Sequence, residues 1–320
     1  MANLKELSKK EELLTGGHRL CAGCGASIIV RQVLHAINGP VVVANATGCL
    51  EVSTTIYPYT AWKVSWIHNA FENVGATLSG VETAYRSLKK QGKVKDKFTF
   101  VGFGGDGGMY DIGLQSLSGA LERGHKALFI CYDNEAYMNT GIQRSGATPR
   151  GADTTTAPAG KVKQGKNEYR KDLLEIMAAH KIPYAATATP AHWNDLITKV
   201  QKAVSVDGPA FMNIMSPCPR GWPYESKDTI QICRIAVDTC FWPLYEIIDG
   251  EKYNITYKPK EKKPFVEWLK AQGRFKHLFK PENKQLLDEL QQNVDDEWQK
   301  LQKKCECFPI DKPAVEAVAK

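Results

Sequence analysis

What these 320 residues lack narrows their class before any motif is considered. No apolar run approaches the ~18 residues that span a bilayer, so a membrane partner is not expected. The N-terminal stretch Met1-Ala-Asn-Leu-Lys-Glu-Leu-Ser-Lys-Lys is charged and has no apolar signal core, which sets the expectation of a cytoplasmic protein. No dense cluster of Lys and Arg accompanies the net charge of +7, so nucleic acid is not an expected partner either. There is no internal repeat and no low-complexity tract. With 43% apolar and 24% charged residues, what remains is an ordinary globular composition with enough apolar content for a sizeable core.

Cysteine is the exception to this plain composition. The nine cysteines are an odd number in a chain too long to be a disulfide-stapled miniature, which favours thiolate ligands or buried apolar fillers. Cys21, Cys24 and Cys49 fall early and close together.

Strand and helix patterns alternate along the first two thirds of the chain. Short β-branched or aromatic runs at 41–44, 98–103, 127–132, 184–188 and 210–215 read as buried strands. Helical spacing covers 26–37, 75–90, 110–123, 172–180 and 191–204, and Gly124 stops the third of these. Residues 139–168 carry little periodic signal and read as a long functional loop. This alternation predicts an α/β fold, a doubly wound and mostly parallel sheet with helices on both faces. Residues 1–250 form the expected domain. From 251 to 320 the composition turns to Lys, Glu and isolated aromatics (Tyr253, Tyr257, Phe265, Trp268, Phe275, Phe279, Trp298), which reads as a C-terminal extension packing on partner subunits.

Two constellations carry chemistry. Gly105-Asp106-Gly107 follows a strand, where open α/β sheets bind ligands, and Asn134 lies 28 residues beyond Asp106 at the end of the next strand. Glycine lets main-chain N–H groups approach a phosphate, while a carboxylate and an amide oxygen suit a hard cation such as Mg²⁺. The plainer reading is a Gly-rich turn plus an Asx turn. The second constellation is Cys21-x-x-Cys24 with Cys49 and Cys218, which fits either zinc or a [4Fe–4S] cluster. Cys49 and Cys218 could instead be apolar fillers. Cys131, Cys233 and Cys240 lie in apolar runs and read as core, and nothing in the pattern pairs Cys305 or Cys307.

Taken together, Gly-Asp-Gly with its following Asn, Cys-x-x-Cys-Gly, Thr47-Gly-Cys49 and Ser216-Pro-Cys-Pro-Arg-Gly-Trp222 resemble the thiamine diphosphate-binding β subunits of the 2-oxoacid:ferredoxin oxidoreductases, the pyruvate enzymes first. The segments 57–63, 66–68, 110–113 and 132–144 read the same way, so the resemblance runs from about His18 to Trp242. It implies oxidative decarboxylation of a 2-oxoacid, pyruvate before oxalate or a branched 2-oxoacid, with coenzyme A and ferredoxin. It implies thiamine diphosphate, Mg²⁺ and a [4Fe–4S] cluster as cofactors, and alpha-, gamma- and delta-type subunits as partners.

Carried over residue by residue, Cys21, Cys24, Cys49 and Cys218 match the cluster ligands. Asp106 and Asn134 match the Mg²⁺ side-chain ligands, and the carbonyl of Ala136 matches the third. Gly107, Gly108, Met138 and Asn139 match positions around the diphosphate, with Asn139 taken also as catalytic. Thr47, Gly48 and His68 match thiamine contacts; for His68 the plainer alternative is a core histidine bonded to the main chain. No general base is expected in this chain, because a single module of this size holds only the diphosphate half of such a site. The rivals are a non-oxidative thiamine diphosphate decarboxylase or synthase, in which the cysteines only pack, and a zinc-stabilised interaction protein.

Overall fold

The computed structural model describes residues 3–310. A short helix, α1 (Leu4–Leu7), precedes α2 (Gly25–Ala36), β1 (Val41–Asn45), α3 (Cys49–Thr54), β2 (Ser65–His68) and α4 (Val74–Lys90). Next come β3 (Thr99–Gly105), α5 (Leu114–Glu122), β4 (Leu128–Asp133), α6 (Leu173–Ala178), β5 (Tyr184–Ala188), α7 (Trp193–Ser205) and β6 (Ala210–Met215). Helix α8 (Thr229–Asp238), the strands β7 (Leu244–Ile248) and β8 (Lys252–Tyr257), α9 (Val266–Lys270) and α10 (Lys284–Cys307) complete the described residues.

The eight strands form one sheet in the order β2-β1-β3-β4-β6-β5-β7-β8. Six are parallel; β7 joins β5 antiparallel and hairpins with β8. Strand side chains alternate between the two faces, as the period of two demands. Val41, Val43, Val101, Phe103, Ile130 and Tyr132 face a core shared with α2 and α7. Ala44, Phe100, Phe129, Cys131 and Phe211 face the opposite core with α4, α5 and α6. Both faces are covered, so the strands read as continuous apolar runs rather than alternating ones.

Several elements were not foreseen, among them the strands β2, β7 and β8 and a π-helical turn. Strand β2 is short, half-exposed on its outer edge, and lies inside what the sequence marks only as an aromatic-rich segment. The region expected to be helical from 110 begins instead with a π-helical turn, Gly107–Asp111, directly after Asp106. Such turns are a recurrent feature of functional sites.

Residues 251–310 are not a free arm; the last part of the expected extension, 311–320, lies outside the described residues. The boundary falls inside the β7–β8 hairpin, and Phe265, Trp268 and Phe275 are buried in a third core cluster with Trp222, Ile232 and Cys233 of the same chain. These three of the aromatic anchors expected to seat in partner pockets are thus satisfied at home, since burying a Trp or Phe against an existing apolar face needs no second subunit. Tyr257, Phe279 and Phe308 stay exposed.

Candidate active site

The loops that carry the predicted residues leave the carboxyl ends of five strands that are neighbours in the sheet. His68 ends β2, Thr47-Gly48-Cys49 follows β1, Asp106 follows β3, Asn134 follows β4 and Cys218 follows β6. The strand order reverses at β1 and β3, and the crevice outside such a switch point is where open α/β sheets take their ligands.

Asp106 is fully buried, and burial, reinforced by the Asp133 carboxylate, pushes its carboxyl well above the usual range. Its Oδ2 makes no hydrogen bond, although Ser145 lies close enough to temper its charge. The Asn134 carboxamide places one terminal atom 2.7 Å from the Ala136 carbonyl oxygen and 2.8 Å from Asp106 Oδ1. As oriented, that atom is the amide oxygen, so three oxygens converge; a half-turn of the amide would replace the convergence with two hydrogen bonds. Three convergent oxygens beside an uncompensated carboxylate form the donor set a hard divalent cation takes, which accounts for the amide oxygen facing two other oxygens. No group of three or more His, Cys, Asp or Glu side chains among the described residues is arranged to hold a metal ion; this set draws instead on an amide and a main-chain carbonyl.

The four predicted cysteines are also brought within electrostatic reach of one another. Burial lifts the Cys24 thiol to about 11, with the charges of Cys218 and Cys21 adding to it. Cys49, at the start of α3, is lifted to about 12 by burial and then by Cys218, Cys24 and Cys21. Burial likewise raises Cys218, whose Sγ accepts a hydrogen bond from Gly221 N at 3.3 Å. The Cys21–Cys24 turn is stitched to the Cys218 loop. Gly25 N–H donates to Pro217 O at 3.1 Å, and the Thr229 hydroxyl donates to Gly23 O at 2.6 Å. A Cβ on Gly23 would lie 2.5 Å from Ser226 O, and φ there is +73°, so this close approach requires glycine. Cys131, Cys233 and Cys240 are buried, as expected for core residues.

The remaining predicted positions are more mixed. His68 is partly exposed on the edge strand, with its Nδ1 3.3 Å from Asn45 O and its Nε2 3.6 Å from Glu51 Oε1. The Thr47 hydroxyl donates to Asn69 O at 3.2 Å. A Cβ on Gly48 would meet the Tyr132 hydroxyl at 2.7 Å. At Gly107 the needed space is filled by the Tyr137 ring, and at Gly108 the nearest atom is Phe71 O at 3.2 Å. Met138 packs against Gly221 in the Cys218 loop, while Asn139 is exposed on the rim. Two buried polar groups escaped notice in the sequence. Neither side-chain atom of Asn45 has a partner, and neither does the Tyr132 hydroxyl. A polar residue at the carboxyl end of a buried strand was the available signal for Asn45. A cavity of ≈ 580 Å³ bounded by Tyr110, Arg170, Trp242 and Trp298 touches none of the predicted rim residues.

Residues 46–214 match the model of the thiamine pyrophosphate enzyme C-terminal TPP-binding domain. The chain is 56% identical over 304 residues to pyruvate synthase subunit PorB of Thermotoga maritima, covering 93% of each. It belongs to the PorB family of thiamine pyrophosphate enzyme subunits. PorB of Methanocaldococcus jannaschii is 54% identical over 84% of this chain and 91% of its own. The ketoisovalerate oxidoreductase subunit VorB of Pyrococcus abyssi is 45% identical over 93% and 95%. Among solved structures, a 2-oxoglutarate:ferredoxin oxidoreductase from Magnetococcus marinus shares the fold at a TM-score of 0.52 and 22% identity, covering 62% of this chain and 64% of that one. The PorB family assignment thus rests on sequence, and the structural neighbour adds the α/β architecture.

Proposed function

We propose that this PorB-family chain is the thiamine diphosphate-binding β subunit of a pyruvate:ferredoxin oxidoreductase, oxidising pyruvate with coenzyme A and ferredoxin in the cytoplasm, together with alpha-, gamma- and delta-type subunits. The observation that carries the reading is the meeting of Asp106 Oδ1, the Asn134 amide oxygen and Ala136 O at the strand switch point. These three would hold Mg²⁺, which in turn would neutralise a diphosphate approached by the main chain around Gly107 and Gly108. Thr47, Gly48, His68, Met138 and Asn139 complete the proposed cofactor contacts, with Asn139 as the catalytic one at the open rim. When bound, thiamine diphosphate supplies the carbanion that attacks the keto carbon, and a [4Fe–4S] cluster supplies an exit for electrons.

The cysteines support the cluster half of the reading. Cys21, Cys24, Cys49 and Cys218 come from three loops of one rim, and the buried thiols of Cys24, Cys49 and Cys218 resist ionisation until a metal displaces the proton. This chain's own work is therefore to bind, orient and shield. The second half of the site belongs to a partner subunit. Residues 1–250 are proposed as the cofactor-binding unit and 251–320 as the extension that meets partners, through the outer face of 251–310 where Tyr257, Phe279 and Phe308 are exposed.

A branched 2-oxoacid is the second reading, favoured by the likeness to VorB. Anaerobic purification of the native complex, followed by metal and thiamine analysis and a dye-linked assay with pyruvate and 2-ketoisovalerate, tests both. Pyruvate should be turned over faster. In the same complex Asp106→Asn should lose thiamine diphosphate while keeping its subunits; unchanged cofactor content would overturn the cation-site reading.

A further inference from the structure

The turn that presents Asn134 and Ala136 is held from behind by two arginines that reach it from distant parts of the chain. Glu135, between them, is fully buried and adopts φ +64°, a left-handed conformation that a long side chain seldom takes without compensation. Its Oε1 accepts from Arg170 Nη1 at 2.9 Å, and its Oε2 accepts from Arg274 Nη2. Arg170 also donates to Asp133 Oδ2 at 2.7 Å. The main chain of the turn is engaged as well. Glu135 N–H donates to Asp133 Oδ1 at 3.1 Å, and Glu135 O accepts from the Thr148 hydroxyl at 2.6 Å. Asn134 O accepts from Trp222 Nε1 at 2.8 Å.

Charge and packing point the same way. Asp106, Asp133 and Glu135 are all fully buried. The two guanidinium groups answer Asp133 and Glu135, and Asp106 is the carboxylate left without a basic partner. Arg274 comes from the C-terminal extension and is 3% exposed on its side chain. Its guanidinium lies 4.2 Å from the centre of the Trp222 ring and accepts no freedom to swing away, because Nε donates to Gln272 Oε1 at 2.8 Å. Planar, bidentate and always charged, arginine is the residue suited to fixing a buried carboxylate in one orientation.

We propose that Arg274 and Arg170 are positioning residues for the bound cation. By clamping Glu135 from two sides, they hold the turn that aims the Asn134 amide oxygen and Ala136 O toward Asp106. The inference rests on the cation-site reading above and adds to it that the extension supplies part of the support. Outer-shell partners of this kind change metal affinity by about 10- to 100-fold when removed.

The test uses the full complex, purified anaerobically, with thiamine diphosphate held in excess while Mg²⁺ is titrated and bound cofactor is measured. Arg274→Gln should raise the Mg²⁺ needed for half-saturation about tenfold or more, with cofactor content recovered at high Mg²⁺, and Arg274→Lys should raise it less. Lys199→Met, which removes another buried cation bonded to Thr187 O and Asp195, is the comparison for lost stability alone. It should lower the unfolding temperature and leave the Mg²⁺ requirement unchanged. An unchanged Mg²⁺ requirement in Arg274→Gln, or an equal rise in Lys199→Met, would overturn the positioning role. If Arg274→Gln does not assemble, Arg274→Lys carries the same test, since it keeps the charge and loses only the fork. Asp106→Asn separates the two ideas. Loss of cofactor there with no effect in the Arg274 variants sinks the clamp alone, whereas no effect at Asp106 sinks the cation site itself.

Discussion

Among single residues, the cysteines divide by environment rather than by sequence spacing alone. Cys218 sits between two prolines on the rim, within reach of Cys24 and Cys49, while Cys131 is enclosed in β4 among Phe129 and Phe211. Cys218→Ala should therefore lower the iron content of the anaerobic complex by one cluster, and Cys131→Ala should leave it unchanged. Equal iron loss in both variants would show that the sorting is wrong. The sequence revealed this rim because Asp106, Asn134 and the Cys-x-x-Cys turn follow strands that could be read from their β-branched runs. It did not reveal Glu135 or Arg274. A Glu within a turn and an Arg in a charged extension look like solvated residues, and only the fold brings them together. Nor could it separate the support of a histidine from its chemistry: His68 lies within 3.3 Å of Asn45 O on a half-exposed edge strand, not in the core.

Among the elements, periodicity was most informative where both faces are buried. Strands β5 and β6 match the sequence reading residue for residue, and α2, α4 and α7 differ from it only at their ends. What escaped was whatever broke the pattern. Strand β2 is an edge strand of alternating exposed and half-buried positions, too short to stand out among Trp66 and His68. The β7–β8 hairpin turns on Asp249-Gly250, both at positive φ; Asp-Gly is a strong hairpin signal, but the domain boundary expected at residue 250 cuts through it. The charged lead-in is also pinned, which its composition did not suggest. Glu12 accepts from Arg31 Nε at 3.0 Å and faces His35 Nε2 at 3.2 Å, both on α2. Arg31 first, and His35 after it, hold the Glu12 carboxyl down from 4.5 to about 2. A carboxylate depressed in the folded state stabilises it above pH 4.5, and that contribution is lost as pH falls toward 2. Glu12→Gln should be slightly less stable than the parent at neutral pH, because a solvent-exposed pair is weak, and the gap should close near pH 2. Denaturant midpoints across that range are the measurement, and a gap independent of pH would contradict the linkage.

For the whole molecule, the extension is part of the core rather than an appendage. Removing residues 251–320 would uncover the cluster around Trp222 and Cys233, cut the β7–β8 hairpin and leave Glu135 with one of its two arginines. The truncated chain should therefore be insoluble or largely unfolded, not a stable remnant released from its partners. A truncated protein with a cooperative melting transition near that of the parent would refute this. A milder version is Trp268→Ala, which empties a fully buried ring position and should cost about 3–5 kcal/mol by denaturant unfolding.

The stitch between the Cys21–Cys24 turn and the loop around Cys218 also has a consequence for how the molecule is made. Translation delivers the first three rim thiols, then the acidic turn after β3, then the Asn134 turn, and only much later Cys218 and Arg274. A nascent chain still short of Cys218 holds its early cysteines without the partner loop that orders them. Any iron offered to it at that stage would meet an unfinished set of ligands. Assembly of the proposed cluster would therefore wait until the Cys218 loop has emerged from the ribosome, late in synthesis or after it.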